Sequence, residues 1–239
     1  DFYSPGHPLH GKDCVEIKQM TAKEEDILTS RTLLKKGLAL ERVIASLIVD
    51  KNIDPASLLV GDRNAIIIAT RVAGYGGEYT TKVTCPECTA TQSYSFNLNA
   101  AKILNGGELD KYEVVKNENG TFNITLPQTG LVVTFKMLTG GDEKILAEGV
   151  TTDRKKKNTE RAITRQLSQI IVAVNESSAA EAIKYVVENI PAIDARHLRL
   201  AYQHVAPNID LTQMFECSEC DYAQEMEVPL SADFFWPDR

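Results

Sequence analysis

The sequence predicts an α+β fold made by tandem duplication of a strand–helices–knuckle–strand unit, the two copies related by a pseudo-two-fold axis. Three observations carry this. Two Cys-x-x-Cys pairs, Cys85/Cys88 and Cys217/Cys220, each form a tight-turn pattern, the first of them between β-prone residues. They lie 132 residues apart, and the same spacing aligns Asp62 with Asp194, Ala69 with Ala201, Thr80 with Thr212 and Gln92 with Gln224 without a gap. Upstream, a spacing of 118 residues pairs Val15–Thr21 with Val133–Thr139 and continues through Glu25/Glu143 and Ile27-Leu28/Ile145-Leu146. Two matches in the same order, ending on the same cysteine motif, are the trace a duplicated chain leaves.

The elements follow in order. Residues 1–12, with Pro5-Gly6-His7-Pro8-Leu9-His10-Gly11, read as an extended N-terminal arm. A first repeat spans 13–103, a connecting segment 104–130 and a second repeat 131–239. In the first repeat Thr21-Ala22-Lys23-Glu24, a hydroxyl followed three residues later by a carboxylate, has capping-box form. It opens an amphipathic helical run through Ile27, Leu28, Leu33 and Leu34. Pro55 suits a helix start, and the pattern predicts helix through Leu58, Leu59, Ala65, Ile66 and Ile67 to Val72, stopped by Gly74-Tyr75-Gly76-Gly77. Lys82-Val83-Thr84 and Tyr94-Ser95-Phe96 then read as strands on either side of the first knuckle. Across the boundary between the connecting segment and the second repeat, Thr121–Leu126 and Leu131–Phe135 form a predicted hairpin around Pro127-Gln128-Thr129-Gly130. In the second repeat Thr139-Gly140-Gly141-Asp142 takes the place of the first cap. The apolar run Ile163–Val174 reads as helix, and Ile193–Val205 is the helix equivalent to 55–72, stopping near Pro207.

The cysteines carry the clearest chemistry. Zinc takes four tetrahedral ligands, and two thiolates two residues apart in a knuckle turn present both sulfurs to one ion without strain. Cys85, Cys88, Cys217 and Cys220 would complete the shell of one ion as a split four-cysteine zinc ribbon. Such a closed shell leaves no position for water or substrate, so the metal would be structural. The separation between the pairs is much wider than the roughly 15–20 residues of a compact ribbon. A pseudo-two-fold fold with one knuckle from each copy reconciles this; the alternative is two ions whose shells partner chains must complete. Redox chemistry is a further use of Cys-x-x-Cys, but it calls for a helix N-terminus within a βαβ unit, and here strands flank the pair. Cys14 is left over as a buried or free thiol.

With 239 residues, 43% of them hydrophobic, the chain can bury one large core or two packed lobes. No apolar run approaches the roughly 18 residues of a membrane span, and the start shows no secretory pattern. A net charge of −7 weighs against nucleic acid as the main partner, because phosphate binding is driven by Lys and Arg. The one strong basic run, Arg154-Lys155-Lys156-Lys157, reads as a solvated loop or helix edge, with contact to an acidic partner surface as the alternative. No catalytic constellation and no small-molecule site emerge. His7 and His10 lie in the arm, and His197 and His204 share a helix face as packing or surface residues. Glu24-Glu25-Asp26 are first-turn acids favoured by the helix dipole. Gly74–Gly77 lacks the Lys-Ser/Thr of a phosphate loop.

Several segments together, Ser4–Leu9, Val15–Ser30, Leu58–Asn64 and the knuckle Val83–Cys88, resemble the T-even-type bacteriophage baseplate hub family. The likeness is strongest over residues 4–100. It implies a non-enzymatic component of a contractile tail baseplate, located in the virion, folded and assembled in the host cytoplasm, whose partners are other baseplate and hub proteins. Phe2, Tyr3 and Leu9 of the arm, and Phe234, Phe235 and Trp236 near the C-terminus, are then the candidate apolar contacts with neighbours. The C-terminal aromatics could instead seal the core beneath the second knuckle. Two alternatives stay open: a zinc-ribbon nucleic-acid-binding module, and a baseplate assembly chaperone absent from the mature virion.

Overall fold

The computed structural model describes residues 2–156, 161–229 and 232–235. Along the chain run α1 (Ala22–Thr29), α2 (Arg31–Lys35), α3 (Ala39–Leu47), α4 (Val60–Tyr75), β1 (Glu78–Thr84), β2 (Thr91–Asn97), β3 (Lys102–Leu104), β4 (Val115–Lys116), β5 (Thr121–Thr125) and β6 (Val132–Lys136). There follow α5 (Gly140–Lys156), α6 (Ala162–Ile170), β7 (Ile171–Val174), α7 (Ala180–Asn189), α8 (Ala192–Val205), β8 (Asn208–Asp210), β9 (Thr212–Glu216) and β10 (Ala223–Glu227). The mixture of helix and sheet is the α+β class expected.

The chain forms two compact units. The first comprises Asp1–Glu16, Asp50–Arg63 and Asn105–Pro207; the second comprises Ile17–Val49, Asn64–Leu104 and Asn208–Arg239. Each unit draws segments from both halves of the sequence.

An antiparallel sheet of order β4-β5-β6-β7 organises the first unit. The hairpin expected around Pro127–Gly130 is present, with Phe122 opposite Phe135 and Ile124 opposite Val133. Period-two alternation turns these four side chains to one face, where they are at most 1% exposed and join Leu167, Ile170, Leu198, Ala201 and Val205 in a single core. The run 163–174 departs from the expected continuous helix: α6 ends at Ile170 and Ile171–Val174 pairs with β6. A short apolar run rich in β-branched residues satisfies helix or buried strand equally in one dimension, and the open edge of β6 decides it here.

The expected helix 55–72 is also divided. Asp54 caps a short 3-10 turn over Pro55–Ser57, α4 starts at Val60, and Leu58-Leu59 stay extended between them. Leu59 bridges Thr139, and the Val60 N–H reaches the Leu138 carbonyl, so tertiary pairing takes donors a continuous helix would have used.

In the second unit α1 closes on the cap the sequence indicated. The Glu24 carboxylate accepts from the Thr21 N–H at 2.9 Å and the Thr21 hydroxyl at 2.6 Å. Ser30 ends this helix and caps α2, dividing the run that was expected to continue to Leu34. Hairpins β1–β2 and β9–β10 and the short pair β3–β8 surround a core that includes Leu28, Val43, Leu47, Tyr79, Phe96, Phe215, Phe234 and Phe235.

At the rim of that core Arg71 of α4 is fully buried. Its guanidinium donates to the carbonyls of Phe234 at 2.6 Å, Gly76 at 2.7 Å and Glu78 at 3.0 Å. It therefore ties the end of α4, the start of β1 and the C-terminal turn together.

Candidate metal centre

Both knuckles lie in the second unit, each at the tip of a hairpin. In the first, the Cys85 N–H reaches the Ala90 carbonyl at 2.8 Å; in the second, the Cys217 N–H reaches the Tyr222 carbonyl at 2.9 Å. The turn of the first knuckle also draws the Thr89 N–H onto the Cys85 carbonyl at 3.0 Å and holds Thr89 at φ 60°. A β-branched residue rarely adopts that conformation, which marks a turn fixed by its surroundings.

The fold brings the four sulfurs together. All lie within 4.8 Å of one another, with Cys85 Sγ 3.8 Å from Cys220 Sγ and Cys88 Sγ 3.6 Å from Cys217 Sγ. A tetrahedron with Zn–S bonds of about 2.3 Å has edges of about 3.8 Å, whereas a disulfide needs about 2.0 Å. The close contacts pair the first cysteine of each knuckle with the last of the other, a reciprocal arrangement that gathers the four donors into one cluster.

Protonation follows from the crowding. Burial alone would raise the Cys85 thiol, but backbone N–H groups of Cys88 and Glu87 aimed at its sulfur outweigh this and draw it down to about 7. Cys220 accepts from the Tyr222 N–H, which favours its thiolate, yet burial and the other three sulfurs together push it up to about 12. Cys88, despite the Ala90 N–H, is likewise raised. As thiolates the four sulfurs would repel one another at this separation, and a soft or borderline cation such as zinc is the partner that this donor set suits.

Side chains away from the sulfurs hold the two hairpins in register. The Gln92 carboxamide on β2 accepts from the Ser218 N–H at 2.7 Å and the Ser218 hydroxyl at 2.9 Å, and donates to the Glu216 carbonyl at 2.9 Å. At the other end Gln213 of β9 accepts from the Asn97 N–H at 3.0 Å and donates to the Asn97 carbonyl at 2.9 Å. Tyr94 packs against Phe96 and Phe215, with ring centroids 5.0 and 5.1 Å away, and donates to the Met214 carbonyl. The sequence had offered Gln92 only as a repeat match; its clamp depends on a residue 126 positions away.

The apolar contacts expected at the chain ends lie elsewhere than on free surface. In the first unit Leu9 is 3% exposed, and Phe2 and Tyr3 are half-buried against the core, Phe2 beside Phe122 and Tyr3 donating to Asp62 at 2.7 Å. The arm is coiled rather than extended: successive turns join His7 to Ser4, His10 to His7 and Lys12 to Leu9. Phe234 and Phe235 are 3% and 6% exposed and pack edge-on, Phe234 also against Tyr79. Leu9, Phe234 and Phe235 are thus buried within the chain, while Phe2 and Tyr3 keep part of their surface open. Trp236 and Lys157 lie outside the described residues.

The histidines are held by structural contacts. His7 stacks on Tyr3 at 4.2 Å and meets Ser57 at 2.9 Å, while His197 and His204 flank the Tyr112 ring. Cys14 is exposed. Among the described residues no helix is long and apolar enough to cross a membrane.

Compared with known proteins, the chain matches the family described as T4 bacteriophage base plate protein over residues 7–236. No curated protein and no solved structure matches it.

Proposed function

We propose, from the premise that this chain belongs to the T4 bacteriophage base plate protein family, that it is a non-enzymatic part of the baseplate hub region stapled by one structural zinc. The observation that carries the metal reading is the set of four sulfurs within 4.8 Å of one another. Each also accepts a backbone N–H characteristic of its knuckle, as Cys217 does from Glu219 at 3.4 Å. With every coordination position filled by thiolate, the ion supplies cohesion between two small hairpins whose own ladders are too short to stand alone.

Tandem duplication accounts for the arrangement. Helices α4 and α8 begin 132 residues apart, each leads to a knuckle hairpin, and the Cys85–Ala90 backbone bond recurs as Cys217–Tyr222 at the same spacing. The Thr21/Glu24 cap has its counterpart in Thr139 and Asp142, 118 residues on. The antiparallel bridge Ile17–Ile48, with α1 to α3 between its strands, corresponds to Phe135–Ile171, with α5 and α6 between.

Native mass spectrometry of the reduced, purified chain tests the metal: one zinc per chain, lost equally from Cys85→Ser and Cys217→Ser, is expected. Two ions, or loss from one variant alone, contradicts a shared site. For location, quantitative mass spectrometry of purified tails should find the chain among the baseplate proteins. Its presence in infected-cell lysate but not in finished tails would instead identify an assembly factor.

A further inference from the structure

We infer that Gln92 is a positioning residue for the metal, setting where the second knuckle stands relative to the first; the inference rests on the zinc reading above. Gln92 follows the first knuckle on β2, opposite Val83 on β1, and its carboxamide reaches across to the other hairpin. There it binds the backbone on both sides of a ligand, the carbonyl of Glu216 and the N–H of Ser218, with Cys217 between them. A carboxamide that accepts from one residue and donates to another two positions earlier imitates a neighbouring strand. Backbone pairing joins β1 to β2 and β9 to β10, and this side chain supplies a strand-like link between the hairpins.

Gln213 makes the same kind of link at the end remote from the sulfurs, gripping the N–H and carbonyl of Asn97. The two clamps have similar hydrogen-bonding chemistry but differ in distance along the hairpin from the cysteines, so they form a natural experiment. Gln92 fixes Cys217 against Cys88, 3.6 Å from it, before any ion arrives. Without the clamp, the second knuckle must be brought into place at the expense of binding free energy, and the tetrahedron is less constrained.

The test uses the full reduced chain and two isosteric variants, Gln92→Met and Gln213→Met, which keep side-chain bulk and delete the hydrogen bonds. Zinc affinity is read by competition with a chromophoric chelator, and geometry from the ligand-field bands of the cobalt-substituted protein. Far-ultraviolet circular dichroism checks that each variant is folded. For Gln92→Met the expected result is zinc affinity about 10- to 100-fold weaker, with shifted, less intense tetrahedral cobalt bands. Gln213→Met should stay within about threefold of the parent with an unchanged cobalt spectrum, which separates positioning of the metal from general support of the hairpins. Parent-like affinity and spectrum in Gln92→Met, or equal losses in both variants, overturn the inference. A parent chain that takes up neither zinc nor cobalt overturns the metal reading itself, and this inference with it. Should Gln92→Met not fold, Gln92→Glu, which keeps the acceptor for Ser218 but sets a carboxylate oxygen against the Glu216 carbonyl, is the second variant and must weaken zinc binding if Gln92 acts through both bonds.

Discussion

Replacing Arg71 by methionine keeps most of the aliphatic stem and removes all three hydrogen bonds of the guanidinium. The Phe234 carbonyl accepts from Nε at 2.6 Å in a fully buried bond, while the carbonyls of Gly76 and Glu78 are partly open to water. Leaving a buried acceptor unsatisfied costs about 2 kcal/mol, and a partly hydrated one about 1 kcal/mol, so the losses total about 4 kcal/mol. Burial already lowers the Arg71 pKa, so removing the charge also relieves some desolvation. About 3 kcal/mol of net destabilisation remains, since a buried group whose partner is deleted is not rescued by apolar packing alone. In a chain of this length that corresponds to a fall of about 6–12 °C in the melting temperature of the second unit. Calorimetry measures the shift, and limited proteolysis reads the release of the C-terminal turn that carries Phe234. Arg71→Lys should recover less than half, because a point charge cannot span three carbonyls held by a planar fork. A methionine variant melting within about 2 °C of the parent, with unchanged cleavage near Phe234, would refute the claim that this arginine fastens three segments.

Three further outcomes are expected. Burial would raise the Glu24 carboxyl, but the Ser46 and Thr21 hydroxyls, the Thr21 N–H and Lys18 outweigh it and bring it from 4.5 to about 2. A depressed folded-state pKa contributes stability above the unfolded value and loses it on acidification, so urea titrations should show a fall between about pH 4.5 and 2 that Glu24→Gln flattens. Asp194, fully buried at the start of α8, accepts from the N–H groups of Gln128 and Thr129 at 2.8 and 3.0 Å. Asp194→Ala should cost about 3 kcal/mol by chemical denaturation and Asp194→Asn less, since its oxygen can still serve one of them. Gly106 sits at φ +67°, where a Cβ would stand 2.2 Å from the Val205 carbonyl oxygen. Gly106→Ala should therefore destabilise the first unit by about 2 kcal/mol or more, measurable as a shift in denaturation midpoint.

How much of this was legible in sequence depends on the range of each interaction. The Thr21–Glu24 cap, the hairpin around Pro127–Gly130 and the two knuckles are specified within a few residues, and all are present in the fold. The four cysteines could be singled out because two thiols at that spacing have few other uses, and the fold brings their sulfurs together. The outcomes that failed to follow local pattern were those in which one stretch had two acceptable states. Ile171–Val174 was free to prolong a helix until β6 offered its edge, and Leu58-Leu59 could have been helical had Leu138 and Thr139 not claimed their neighbourhood. Phe234 and Phe235 look alike as core or as contact surface until Tyr79 and Arg71 are set against the chain end.

The sequence by itself determined the elements whose hydrogen bonds are close along the chain, nominated the four thiols and carried the family to which the chain belongs. Only the tertiary structure decided that segments from both halves interleave in each compact unit, that Gln92 grips the residues around Cys217, and that Arg71 serves three distant carbonyls. The physical reason is that a side chain's polar groups have no preferred partner until burial removes water from the competition. Which partner is then within reach depends on the path of the whole chain.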